Sequence, residues 1–237
     1  MKVIVLTVNQ YKEKDAIVTA VAEKQLITFL AKGINDPKSK NSVLNNPLTI
    51  VDIELVEGNL KYPVLKNSKQ LFTPLKVEMD ANYLGALLFI GEMMLNLFPD
   101  EEKYKMFACL EEGVEALRKT NDWLMSLLVF MSHAIRIGGF ELEVNQCVIC
   151  GNKQKIVAFS FVDGGFICEK CYHEGISINL SKEQMLLLRK IFNARDYLLA
   201  GTDYSRQDAL VIFDRVTEYI QEVFGYHFKN LKLLTIN

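Results

Sequence analysis

At Asp80 the spacing of apolar residues changes, and the change divides the chain into two kinds of local structure. Before it, five stretches rich in Val, Ile and Thr, at residues 2–8, 16–22, 25–32, 49–57 and 60–65, alternate in part and are separated by turn-forming or charged residues. Short bounded runs of this kind read as strands. After it, apolar residues recur every three or four positions over 80–98, 100–119, 121–139, 181–199 and 205–225, the period of helices buried along one face. Asp80 and Ser181 stand as N-caps, the latter with Gln184 at capping-box spacing, and Gly138 with Gly139 closes the third helical run. The expected fold class is α+β, with a small N-terminal barrel and then helices. A five-stranded barrel with Greek-key connections is the OB-fold, although an SH3-like barrel or a small open sheet has a similar strand pattern.

Cysteines interrupt the helical part. Cys147 and Cys150 form one Cys-x-x-Cys pair, Cys168 and Cys171 a second, with seventeen residues between them. Two thiolates from one tight turn reach the same ion, and a second pair from a facing hairpin completes a tetrahedron, so this spacing reads as a zinc ribbon. The alternatives are unligated core cysteines or a redox pair. Gly151 follows the first pair, and Gly164 and Gly165 lie where the chain must fold "IVAFSF" back on "GGFIC", turns that call for positive φ. Four thiolates close the coordination shell and leave no position for substrate, so the expected zinc is structural. It would supply the folding free energy that so short a segment lacks. His173 is a competing donor by position. The domains expected are 1–78, an OB-fold, and 79–237, an all-helical domain with a zinc-ribbon-like insertion of four cysteine ligands at 144–175.

The N-terminal apolar run is too short for a signal peptide, and the longer apolar runs are broken by Glu92, Ser126 or Ser132. We therefore expect a cytoplasmic protein in a reducing compartment. Its net charge of −2 conceals an asymmetry: residues 1–76 hold eleven Lys against seven carboxylates, a surplus of four, so the remainder carries −6. Lys12 and Lys14 lie in the first connecting turn, and Lys32, Lys38 and Lys40 leave the third strand for the loop 35–47. On one rim of a barrel they would hold phosphates by charge, without reading sequence. The alternative is an ordinary solvated surface, since acids are interspersed. Arg136 ends the third helical run, where it either extends a DNA surface or answers the helix dipole. Cys109 and His133 sit among apolar neighbours as core residues. No nucleophile–base pair, paired catalytic carboxylates or phosphate-cradling glycine motif is present, so an enzyme is not expected.

Taken together, "YKEKD", "FLAKGINDPKSKNSVLNNPLTIVDIEL", "GGFELEVNQCVICG", "FSFVDGGFICEKC" and the closing "YHFKNLKLL" are similar to the RecO family of bacterial recombination mediators. The resemblance implies an N-terminal OB-fold and a helical domain with an inserted zinc element. It also implies a non-enzymatic protein that binds single- and double-stranded DNA and anneals complementary strands. Such a protein engages the C-terminal tail of single-stranded DNA-binding protein and, with RecR, loads RecA on DNA coated by that protein, in the bacterial cytoplasm at the nucleoid. Lys14, Lys32, Lys38 and Lys40 fall at matching DNA-contacting positions, and the four cysteines at the zinc ligands; Lys12 and Arg136 are additions of our own. The barrel departs from the family in having no arginine, the first being Arg118. Lysine meets phosphate as a point charge, without a bidentate fork. The rival reading is a zinc-stabilised protein-interaction adaptor that contacts no DNA.

Overall fold

The structure, a computed structural model, describes residues 1–36, 38–57, 61–175 and 180–234. The chain forms two compact units: Met1–Lys119 together with the described residues from Phe228 onward, and Thr120–His227.

The first unit begins with five strands, β1 (Lys2–Gln10), β2 (Ala16–Ala22), β3 (Leu26–Ala31), β4 (Ile50–Val56) and β5 (Val64–Phe72), closed into a barrel in the order β1-β2-β3-β5-β4. All pairings are antiparallel except β3 with β5, which meet in parallel at Leu30 and Val64. This is the OB-fold connection order, and closure leaves no free sheet edge to aggregate. Alternate residues point inward, so Val3, Val5, Val18, Ala20, Phe29, Val51 and Ile53 fill the interior. Ile34 and Leu44, from the β3–β4 connection, are fully buried among them. A 3-10 turn at Ser42–Asn45 delivers Leu44, so the loop that carries lysines outside also plugs the barrel inside.

One strand differs from expectation. The sequence pattern puts the fifth at 60–65, whereas β5 starts only at Val64; Leu60 lies outside the described residues. Pro63 has no N–H for a ladder, and the polar run 66–70 masks the strand that follows. Seven residue pairs with β4, not apolar alternation, hold it.

Helices α1 (Ala81–Asn96) and α2 (Phe107–Thr120) complete the unit. Asp80 caps α1, accepting the N–H of Tyr83 at 2.8 Å. The run expected from residue 100 opens instead with a 3-10 turn at Lys103–Met106. Lys2 Nζ makes a bidentate ion pair with Glu111, at 2.7 and 2.8 Å, and Arg118 donates to the carbonyls of Thr73 and Leu75. Both clamp α2 to the barrel. The buried Glu92 carboxylate accepts the N–H groups of Lys229 and Asn230, at 2.7 and 2.9 Å, at the start of a 3-10 turn over Asn230–Leu233. That turn sits so close to α1 that a Cβ on Gly85 would stand 3.0 Å from the Leu233 carbonyl oxygen.

The second unit packs α3 (Trp123–Ile137), α4 (Lys182–Asn193) and α5 (Arg206–Phe224) with a three-stranded sheet of order β6-β8-β7, comprising β6 (Glu143–Cys147), β7 (Ile156–Ser160) and β8 (Gly165–Cys168). Ser181 and Gln184 form the expected capping box. Helix α4 ends at Asn193 and not at 199, because Arg136 takes the carbonyls of Phe192 and Ala194, at 2.7 and 3.4 Å, and the chain turns extended at Ala194. Beyond it, the buried Tyr197 stacks on His133 with ring centres 5.8 Å apart.

Candidate metal centre and nucleic-acid rim

Cys147 ends β6 and Cys168 ends β8, so the sheet itself brings the first member of each pair together. The second members, Cys150 and Cys171, return on tight turns. Gly151 N–H donates to the Cys147 carbonyl at 2.8 Å with φ of 72°, and Cys171 N–H to the Cys168 carbonyl at 2.9 Å. All four sulfurs lie within 4.8 Å of one another, and those of Cys150 and Cys168 are 3.6 Å apart. Four sulfurs at ~2.3 Å around one tetrahedral ion stand ~3.8 Å apart, so the cluster has the size of a filled shell. Cys147 and Cys168 are buried while Cys150 is exposed.

The thiols influence one another's protons. Burial pushes Cys147 up, but the N–H groups of Cys168, Cys150 and Ile149 and the Cys150 thiol outweigh it and bring it to about 6. Cys171 is pushed up to about 12, first by hydrogen bonding to Cys150, then by burial and the remaining thiols. A close thiol set gives up one proton readily and holds the last, and a divalent cation removes that resistance. The donor set therefore fits a thiolate-binding metal ion. His173 is exposed and stands outside the cluster.

Gly164, with φ of 79°, makes the β7–β8 turn, and Gly165 has a separate role. A Cβ there would lie 2.4 Å from the Glu143 carbonyl oxygen. In the central strand of so small a sheet there is nowhere to move. Gly165→Ala should lower stability by about 2–4 kcal/mol, a cost of the kind set by overpacking, measurable as a lower thermal midpoint with metal bound.

Cys109 is buried in α2, as expected. His133 lines the core of the second unit, and burial first, then the charges of Arg136 and Arg195, lower its pKa to about 4. It is neutral near pH 7.

The lysine positions divide. Strand register puts the β1–β2 turn beside the start of the β3–β4 loop, since Ala16 pairs with Ala31. Side chains and backbone then tie the two: the Asp15 carboxylate accepts Gly33 N–H at 2.9 Å, the Lys14 backbone carbonyl accepts Asn35 N–H at 3.1 Å, and Lys14 Nζ meets Asp36 at 3.1 Å. Asp36 also accepts Lys38 N–H, at 3.0 Å, and these bonds hold its carboxyl below the usual range, the Lys38 N–H foremost. Lys12, Lys14, Lys32 and Lys38 thus share one rim, all exposed. Two of the interspersed acids are the ties of that rim. Lys40 stands farther along, next to Asn41, which accepts Ser68 Oγ of β5 at 2.7 Å. Arg136 is elsewhere, in the second unit, where it also pairs with Glu141 at 3.2 Å and its side chain is only 17% exposed.

Sequence patterns alone do not reveal a pocket of about 180 Å³ between the metal-bearing sheet and α4, lined by Ile156, Phe166, Met185 and Leu186 and by the cations Lys153, Lys182 and Arg189. Arg189 lies over the Phe166 ring at 5.2 Å and donates to the Val144 carbonyl at 2.7 Å. The signal in the sequence is the face of α4 carrying Lys182, Met185, Leu186 and Arg189, of which Leu186 is 47% exposed.

Comparison with known proteins covers the chain almost end to end. The family described as Recombination protein O N terminal matches residues 1–79, and Recombination protein O C terminal matches residues 79–232. DNA repair protein RecO of Mycoplasma mycoides subsp. mycoides is 22% identical over 240 residues, 99% of this chain and 96% of that one. The RecO proteins of Bacillus pumilus and Bacillus subtilis are 25% and 23% identical, each over 98% of this chain and 91% of their own. With a closed five-stranded barrel, a helical part and a four-cysteine cluster in one polypeptide, the chain belongs to the RecO family of DNA repair proteins.

Proposed function

We propose that the chain is a non-enzymatic recombination mediator of the bacterial cytoplasm and nucleoid. It binds single- and double-stranded DNA through Lys12, Lys14, Lys32, Lys38 and Lys40, and anneals complementary strands by partly neutralising their phosphates. The observation that carries this reading is the joining of two lysine loops at one barrel rim by Asp15 and Asp36. Arg136, engaged by Glu141 and by two backbone carbonyls, is left out of the surface. With RecR, the protein loads RecA on DNA coated by single-stranded DNA-binding protein, in keeping with its family.

The metal is zinc and it is structural, because four sulfurs satisfy a tetrahedral ion and the segment has little core of its own. The pocket beside the metal sheet takes the acidic tail of single-stranded DNA-binding protein, its apolar floor receiving side chains and its three cations the carboxylates. Lys182→Glu tests this. It places a carboxylate in the first turn of α4, where the helix dipole favours it, so folding is spared while the rim loses its complementarity. Binding of a tail peptide, followed by fluorescence anisotropy, should weaken by roughly 3–10-fold, as reversing one exposed charge at the edge of an anion site is worth about 0.6–1.4 kcal/mol. Unchanged peptide affinity rejects the assignment.

The central test is direct titration of labelled single strands at low and moderate salt. Binding that weakens steeply with salt supports the mediator; no binding in dilute buffer rejects it in favour of a zinc-stabilised adaptor without DNA contact.

A further inference from the structure

The four sulfur-bearing residues of the metal centre differ in their access to solvent. Cys147 and Cys168 are buried, Cys171 is half-buried, and Cys150 is exposed. Cys150 lies on the tight turn after β6, followed by Gly151 in the left-handed region. Its sulfur stands 3.6 Å from that of Cys168, which ends β8. Bonded sulfurs are ~2.05 Å apart, so these two need close by only about 1.5 Å. An accessible sulfur with a second one in reach is the arrangement by which cysteines respond to oxidants, the first being attacked and the second resolving the product. Cys109, buried in α2 of the other compact unit, lies outside this cluster.

We infer that Cys150 is an oxidation site, at which a two-electron oxidant such as hydrogen peroxide joins Cys150 to Cys168, opens the metal centre and dismantles the pocket beside the metal-bearing sheet. The inference rests on the proposed zinc and the proposed tail pocket, and adds to them a control by oxidants. The Cys150 thiolate attacks one peroxide oxygen: an S–O bond forms as the O–O bond breaks, hydroxide leaves, and the sulfur gives up two electrons. The Cys168 thiolate then attacks the Cys150 sulfur, forming the S–S bond and expelling a second hydroxide. One peroxide is consumed and two thiolates are lost. Cys147 and Cys171 remain, and two sulfurs do not fill a tetrahedral shell. The pocket depends on the same strands. Phe166 of β8 stands two residues before Cys168, Ile156 of β7 pairs with Cys168, and both line the pocket. Strand β6 ends in Cys147, and its Val144 carbonyl holds Arg189, one of the pocket's cations. The lysine rim belongs to the other compact unit, and its loops carry no cysteine. Oxidation therefore releases the tail and leaves DNA held.

The test treats the zinc-loaded full chain with hydrogen peroxide beside a chromogenic chelator, and maps the disulfides formed by mass spectrometry of its peptides. One zinc should leave for each disulfide, the first bond should join Cys150 to Cys168, and Cys109 should stay a thiol. Affinity for the tail peptide should fall by at least ~10-fold, because apolar and charged contacts are lost together, and should return on reduction with added zinc. Single-strand affinity should stay within about twofold, since no phosphate contact is removed. Cys150→His is the informative variant: three cysteines and a histidine also hold zinc tetrahedrally, and the exposed position has room for the ring. It should keep zinc and bind the peptide as the unsubstituted chain does, yet release zinc at least ~10-fold more slowly under peroxide, the attacked sulfur being gone. Zinc retained by the oxidised chain, a first disulfide that leaves out Cys150, or equally fast release from Cys150→His overturns the inference. Should that variant fail to bind zinc, the disulfide map decides alone. Peptide affinity that survives zinc release overturns the control of the pocket. If the untreated chain holds no zinc, the metal reading falls first and the inference with it; if it holds zinc that peroxide does not release, the inference alone falls.

Discussion

Removing the metal, proposed to be zinc, with a chelator, or replacing Cys150 with Ser, is expected to lower the thermal midpoint by about 10 °C or more, the largest stability effect we foresee. The sheet it would loosen is small, with strands of five, five and four residues. Its buried apolar content is mainly Val144, Phe159, Phe166 and Ile167, with Ala158. Structural zinc in small peptides is worth ~10–16 kcal/mol of apparent binding free energy. Even a loss of roughly 5 kcal/mol gives the shift stated, at about 2–4 °C per kcal/mol for a chain of this size. Cys150 is the informative ligand to replace because it is exposed, so serine there opens no cavity and the loss reports on metal alone. A chromogenic chelator should register one ion released per chain. Binding of single strands should change less than about twofold, since the lysine rim belongs to the other compact unit. A midpoint that does not move, or DNA affinity that falls more than stability, overturns the structural assignment.

The second large effect concerns the rim and the loop that continues from it. Replacing Lys32, Lys38 and Lys40 together by Ala should flatten the dependence of log affinity on log salt by about 2, at ~0.7 per lost phosphate contact on a single strand. Affinity at low salt should fall by at least ~10-fold, equally for all sequences, because the contacts read charge and not bases. Lys14 should matter less singly than any of these, as its ammonium is already held by Asp36. An unchanged slope rejects these lysines as the phosphate contacts.

How far the sequence foretold these features depends on the kind of information each one needs. Strands β1 to β4 were legible because their inward residues alternate with outward ones, and the caps at Asp80 and Ser181 because a side-chain oxygen at a helix start is a local event. The cysteine cluster was legible because its spacing is itself the geometry. Strand β5 was not, since pairing with β4 stabilises residues whose side chains are mostly exposed. The end of α4 was not, because Arg136, some fifty-six residues earlier, supplies the partner that ends it. The meeting of lysine loops at one rim, and of Lys153 with Lys182 and Arg189 around one pocket, depends on register and packing. Neither is written in any local stretch.

The grip of Glu92 on the amides of Lys229 and Asn230 has a consequence for biosynthesis. Helix α1 is translated long before the residues that cover it, and the whole second unit must emerge in between. During that interval Phe89 lacks its later neighbour Phe228, whose ring settles 4.6 Å away, and a greasy flank stands open on the nascent chain. The half of the protein made first is thus the half completed last, and stalled or clipped products should be the ones that chaperones retain.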